Sequence, residues 1–454
     1  MRTLPALCLI LALPISAAAA TIHVPADQPT IAAGLAAALP GDSVEVACGE
    51  YYEHDLVMPS GVTLGAPGSG VGCVTIFAQG QGRFLSGSGL APGTRVENMF
   101  VVDAHSGAQP GGAMDFADSS VEIRDCWIWG GVSDTVGGGI ALDNCDALLE
   151  NVLFTICQAE GSGGALRADG GTLTLRDCAF EWNAALDGGG LALSNCDPLI
   201  EDCTFVFNDA QFWGGAVMLN GNASPTLRRC TLAANDAYEG GGLWGCYGSS
   251  ALLEQCVVAL GEGTGLHSYP DLNHPTTITV SCSNIYGYAS GNYGGDLDDQ
   301  TGVNGNISGN PLFCDLYAYD LPNVGLAEDS PCLPENNDCG LLMGAHGLGC
   351  EAPTAVGDAP APAAALLPNR PNPFNPATEI VFSLARPAAV TLTIHDLAGR
   401  RLITLLANVQ RPAGEQSVRW DGRDATGRSL PSGVYVARLA FPEGMASRKL
   451  TLLK

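Results

Sequence analysis

The stretch GGALRADGGTLTLRDCAFEWNAALDGGGLALSNCDPLIEDCTFVFNDAQFWGGAVML, residues 163–219, decides the fold. It holds GGAL (163–166), GGGL (188–191) and GGAV (214–217). The same segment stands outside it as GGAM (111–114), GGGI (137–140) and GGGL (240–243), so the pattern returns every 25 or 26 residues. A fixed period of this length marks a solenoid or array. Between the glycines the apolar runs are short and alternate, as in Leu173-Thr174-Leu175 and Leu227-Arg228-Arg229, which reads as strand rather than helix. Three short strands per repeat cannot bury their faces alone, but they can form one coil of a parallel β-helix, each pairing with its equivalents above and below.

Like residues then stack on like. Met114, Ile140, Leu166, Leu191, Val217 and Leu243 form one inward column, and Ile123, Leu149, Leu175, Ile200, Leu227 and Leu253 a second. Beside the second, an outward column alternates in sign: Glu97, Arg124, Glu150, Arg176, Glu201, Arg228, Glu254. Opposite charges would meet on adjacent strands, and a one-coil slip would bring like charges together, so this column is structural. The expected solenoid runs from about residue 44 to 310 in roughly nine or ten coils at the spacing of parallel strands. The fold class is all-β, a right-handed parallel β-helix followed by a small Ig-like β-sandwich.

Composition excludes several functions. The chain carries a net charge of −27 over 454 residues, and residues 1–350 hold 8 basic against 39 acidic ones. Nucleic acid needs basic surface, so it is excluded as a partner. An N-terminal Arg2, the apolar run Leu4–Ile15 and the small residues Ala17–Ala20 read as a cleavable export signal over 1–20, and no later stretch is long and apolar enough to span a membrane. The β-helix is assigned to 21–350, an Ala/Pro-rich linker to 351–366, and a basic C-terminal module with six or seven short strands to 367–454.

Sixteen cysteines remain outside the signal. Cys126, Cys178, Cys203, Cys230, Cys256 and Cys282 share a repeat position with Val152 and read as a stack of small apolar fillers, because stacked Cβ atoms lie farther apart than a disulfide prefers. Cys314, Cys332, Cys339 and Cys350, in the irregular end of the solenoid, are the disulfide candidates.

Two kinds of segment carry a resemblance. The repeats, with FEWN (180–183), FVFN (205–208) and LAAN (232–235), resemble those of polymorphic outer-membrane proteins. The opening 21–57, with an amphipathic helix around Thr30–Ala38 and Gly49-Glu50-Tyr51-Tyr52-Glu53, resembles the N-terminal cap of pectin-lyase-like right-handed β-helices. In the C-terminal module, PNPFNP (371–376), HDLAGRR (395–401), WDGRDATGR (420–428), SGVYVARL (432–439) and RKLTLLK (448–454) resemble the sorting domain of type IX-secreted proteins and the Ig-like domain of flagellar hook-capping proteins. The sorting resemblance implies Pro371, Asn372, Pro373, Gly433, Tyr435 and Lys449 as its motif. It also implies bacterial secretion machinery as a partner, and a surface or secreted destination reached through the periplasm.

The β-helix resemblance specifies fold, not activity. Asp103, Asp115, Asp118, Asp143 and Asp169 are the carboxylates that could face one side, and Asp143 and Asp169 stand at equivalent positions of adjacent coils, as glycoside cleavage or cation binding would require. Asp296, Asp298 and Asp299 are the candidate Ca²⁺ ligands, and no other cofactor is expected. His267 and His274 read as loop surface. With no lyase or esterase signature found, the favoured reading is a non-catalytic module binding polysaccharide or a cell-surface glycan. The alternative is a polysaccharide lyase or glycoside hydrolase using outward carboxylates.

Overall fold

The computed structural model describes residues 19–68, 72–269, 273–316, 322–350, 364–367, 369, 374, 376–395, 401–430, 433–441 and 444–452. Most of the export segment, most of the linker, and Pro371, Asn372 and Pro373 lie outside them.

Short alternating strands and a repeat of constant length produce a right-handed solenoid of about 12 turns. Every strand–strand pairing within its main sheet is parallel, and the register follows the repeat: Leu166 pairs with Leu191, Leu175 with Ile200, Phe180 with Phe205. Each coil has a first strand (Thr174–Arg176 in one coil), a second (Ala179–Glu181) and a third (Leu191–Ser194). Both inward columns read from the sequence are fully buried, and Phe154, Phe180 and Phe205 fill a third, with ring centroids 4.9 and 4.4 Å apart.

The F-x-x-N segments acquire a reason here. Asn183, Asn208 and Asn235 point into the core and form a ladder, with the Nδ2 of one donating to the Oδ1 of the next at 2.9 Å and to the carbonyls of Phe154, Phe180 and Phe205. Buried amides of this kind must be satisfied, and stacking satisfies them coil by coil. The paired glycines answer a steric demand. Gly163 has φ +72°, and a Cβ on Gly164 would lie 2.2 Å from the Gly189 carbonyl.

The turn between first and second strands is one residue in the left-handed region: Asp125, Asn151, Asp177, Asp202, Arg229, Gln255 and Cys282. This corrects the reading of Cys282. It occupies the outward corner, not the inward stack, and Ser283, fully buried, takes the inward place after Cys256, whose backbone N–H donates to the Ser283 hydroxyl. The corner lets Cys282 reach Cys339, to which it is bonded. Cys314 is bonded to Cys350. Cys332 is a buried free thiol instead, accepting a hydrogen bond from Asn284 Nδ2. Cys48 and Cys73, stacked neighbours just before the paired strands that start at Gly49 and Val74, are also bonded, so stacking does not by itself prevent a disulfide where the chain is entering a strand. Burial pushes the Cys126 thiol up to about 12, as expected of inert core thiols.

The solenoid starts earlier than expected, because Thr21–Val24 already pairs with Ser43–Val46. The helix Ile31–Ala37 covers its open end. Thr30 Oγ1 accepts from the Ala33 N–H, Glu53 accepts from the N–H groups of Ile31 and Ala32, and Ile31 and Leu35 are buried. At the far end the chain leaves the solenoid. Phe313–Asp315, Asn323–Ala327 and Leu348–Cys350 form a three-stranded sheet against its flank, with Leu316 and Val324 on Val206 and Ala233, and Leu326 and Met343 on Val257 and Ala259. The C-terminal module has two antiparallel sheets, Ala364–Leu366, Thr378–Leu384 and Gly414–Trp420 against Ala388–His395, Arg401–Arg411, Gly433–Phe441 and Gly444–Leu452. They enclose one core that includes Phe382, Trp420, Leu439 and Leu450.

Candidate functional site

The outward side of the third strands gathers the chemistry. Its floor column runs Ser86, Asp115, Ala141, Arg167, Ala192, Met218, Trp244, His267, and the next outward column runs Ala117, Asp143, Asp169, Ser194, Asn220. A wall stands beside it, made by the short strands between the second and third, where Ser162, Asp187, Trp213 and Glu239 stack.

Wall and floor touch diagonally. Trp213 stacks on Trp244 with centroids 5.0 Å apart and planes at 15°. Tyr269 leans on Trp244 at 5.9 Å, Tyr247 on Tyr269 at 6.4 Å, and Phe212 on Trp213 at 5.8 Å. Phe212, Tyr238, Tyr247 and Tyr269 are exposed, so buried Trp244 and half-buried Trp213 carry a rim of open rings. Glu239 Oε2 lies 3.6 Å from His267 Nε2, and Thr264 Oγ1 lies 3.1 Å from Nδ1. Burial lowers the His267 pKa against the opposing pull of Glu239. His267 is therefore a strand residue on the groove floor, not loop surface as expected.

Asp143 and Asp169 pair in register, as their spacing predicts. Asp169 is engaged: Arg167 Nη2 donates to it at 2.7 Å and Asn195 Nδ2 at 2.9 Å. Asp143 is exposed. Asp115 is held by Arg83, and its pKa is raised, burial outweighing the guanidinium. Asp118 accepts from Asn144. Asp103 lies outside this groove, at the corner after a second strand, and burial raises its pKa. The most perturbed groove carboxyl is one that the sequence reading did not select. Burial pushes Asp187 up to about 6, partly offset by the Trp213 backbone N–H, and its Oδ1 is buried without a hydrogen bond.

The calcium expectation finds no assembled site. Asp296, Asp298 and Asp299 are all exposed, and Asp299 accepts from the Thr301 backbone N–H. Among the described residues no group of three or more His, Cys, Asp or Glu is disposed to hold a metal ion. In the C-terminal module Gly433 opens its strand, Tyr435 is buried edge-on to Trp420 at 5.5 Å, and Lys449 lies on the strand Gly444–Leu452.

Residues 116–310 match the family model for the right handed beta helix region. That span holds almost the whole groove. Residues 372–440 match the FlgD Ig-like domain. No curated protein matches this chain. The β-helix assignment accounts for the scaffold. The aromatic rim lies on outward residues, and the QFW immediately before the glycines at 214 and the Trp directly after Leu243 were its sequence signal.

Proposed function

We propose that this chain is an exported bacterial β-helix protein whose solenoid binds glycan without transforming it, delivered to the surface or medium by its C-terminal module. The observation that carries the reading is the ring cluster Phe212, Trp213, Trp244, Tyr247 and Tyr269 along the third-strand groove, with His267, Glu239 and Asp187 at its edge. Aromatic rings offer a large apolar face at small conformational cost, and adjacent polar groups orient hydroxyls. The two groove arginines, Arg83 and Arg167, are already in ion pairs, so the groove suits an uncharged chain rather than a polyuronate. Electrophoresis through gels containing a neutral or an anionic polysaccharide tests this: the protein should be slowed by hydroxyethylcellulose or galactomannan, and Trp213→Ala should be slowed clearly less. Equal retardation of both forms sinks the groove assignment.

One observation favours an enzyme instead: a carboxyl with a pKa near 6 in a groove has the protonation state of a general acid, and Asp187 is such a group. Release of reducing ends from neutral glycans, abolished by Asp187→Asn, would establish hydrolysis. New absorbance from unsaturated ends of uronic-acid polymers would establish a lyase.

Delivery rests on the export signal and on the resemblance of 367–454 to a sorting domain. Cells expressing a chain ending at residue 366 should retain the β-helix in the periplasm, whereas the full chain reaches the surface or medium. Undiminished release of the truncated chain overturns the sorting role.

A further inference from the structure

The outward face of the second strands has two halves. In one, at Thr204–Val206, Thr231–Ala233 and Val257–Ala259, the side chains are small or β-branched and are roofed by the 313–350 sheet. In the other, the same two columns carry Phe100, Trp127 and Leu153 in one line and Tyr52, Phe77, Val102, Trp129 and Thr155 in the next. Among the described residues nothing covers these rings, and all are partly or fully exposed. Phe100 and Trp127 stack at 4.7 Å, Tyr52 and Phe77 at 5.4 Å, and Trp129 is turned 43° from Trp127. Trp127 Nε1 donates to Thr155 at 3.4 Å, while Trp129 Nε1 has no hydrogen-bond partner among the described residues.

We infer that this open half is a second glycan-binding face, taking a neutral linear polysaccharide laid along the solenoid axis. The inference rests on the reading of the β-helix as a glycan binder, but uses a different side of the coil. Charge selects the occupant. Residues 1–350 contain no lysine, no arginine stands in either column, and the neighbouring Arg95 and Arg124 are already paired with Glu122 and Glu150, so a polyanion finds no free cation among the described residues of the strip. Residues 1–350 of a second copy would bring 39 acidic and 8 basic residues of their own against them. An uncharged glycan escapes both penalties, packs its C–H faces on the rings and can accept from Trp129 Nε1.

Geometry selects a linear chain. Coils repeat at roughly 4.8 Å, the spacing of parallel strands, which is close to the length of one sugar ring. Consecutive sugars of an extended polymer can therefore meet consecutive coils. The two halves also explain each other: where the protein roofs this face itself, it uses side chains that fit under a sheet, and where it does not, it exposes the largest rings. With the groove on another side of the coil, one molecule can hold two polysaccharide strands, and the second contact benefits from the first.

The test uses the full-length protein in gels containing hydroxyethylcellulose or galactomannan, with polygalacturonate as the anionic comparison. Trp213→Ala/Tyr269→Ala, which disables the groove, should keep measurable retardation in a neutral gel. Adding Trp127→Ala/Trp129→Ala should abolish it, and that second pair alone should weaken retardation at least fivefold. Leu153→Glu keeps every ring, places a carboxylate in the strip and should give the same loss, which decides the matter if the double tryptophan variant does not fold. Free migration of Trp213→Ala/Tyr269→Ala overturns the second face and leaves the groove reading standing. Full retardation of Leu153→Glu, or a dimer of the full chain in sedimentation that Leu153→Glu dissociates, also overturns it. Free migration of the unaltered protein in both neutral gels overturns both sites.

Discussion

The first-strand and third-strand faces sit on the same coils, yet their outward columns follow different rules. The first-strand column repeats: Glu97, Arg124, Glu150, Arg176, Glu201, Arg228 and Glu254 are in register, and Arg228 meets both Glu201 at 3.3 Å and Glu254 at 2.9 Å. The third-strand column holds no regular pattern, passing from Asp115 through Ala141, Arg167, Ala192 and Met218 to Trp244 and His267. A residue that recurs each coil is answered by its own neighbours above and below. One that occurs once must be answered by something outside the repeat, whether another element or a ligand. Periodic columns therefore hold the solenoid together, and aperiodic ones are where to look for its work.

Breaking a periodic core column should have the largest effect. Phe180 lies between Phe154 and Phe205 with no exposed surface, so Phe180→Ala should cost about 3–5 kcal/mol in denaturant unfolding. Glycan affinity of the remaining folded protein should not change.

Glu181 tests an aperiodic position that no neighbour satisfies. It replaces the Thr155 and Val206 of adjacent coils, is buried, and burial alone pushes its pKa up to about 7 from the ordinary 4.5. The folded state binds this proton more tightly than the unfolded state. Stability is therefore fullest below pH 4.5, falls as pH rises, and the whole deficit is present above pH 7. Glu181→Gln should be neutral at pH 4 and stabilising by about 3 kcal/mol at pH 8. A pH-independent difference would refute the buried, unpaired acid.

Trp213→Ala removes a ring that neighbouring coils do not share. Neutral-glycan binding should weaken about tenfold, or about 1.4 kcal/mol, with the melting temperature nearly unchanged. Equal losses of binding and stability would make Trp213 a packing residue. The smallest effect belongs to the ladder. Arg176, half-exposed and 3.5 Å from Glu201, becomes the middle of three like charges in Arg176→Glu, which should be less stable than Arg176→Ala by about 0.5–1 kcal/mol at low salt and indistinguishable at high salt. Identical low-salt melting temperatures would show that the alternation has no energetic role.

The same distinction explains what sequence reading could reach. Leu166 over Leu191 and Arg176 over Glu201 are one period apart, so a repeat alignment is already a contact list. The error at Cys282 came from the same rule at its edge. Near the end of the solenoid the repeat slips by one, and a slip of one moves a side chain from the core to the corner. Asp143 and Asp169 were placed correctly on one column, but that Arg167 and Asn195 engage Asp169 depends on side-chain directions no alignment contains.

By itself, then, the sequence determined the β-helix, its inward columns, its charge ladder and the Ig-like module, because a solenoid's contacts join equivalent residues and a period in sequence becomes a neighbour in space. Only the tertiary structure decided the groove, the roof over half of the second-strand face, the Cys282–Cys339 link and the burial that shifts Asp187 and Glu181. Each of those joins non-equivalent positions. Trp213 reaches Trp244 diagonally across wall and floor, and the 313–350 sheet returns against strands far behind it, so their partners follow from how the chain packs rather than from how it repeats.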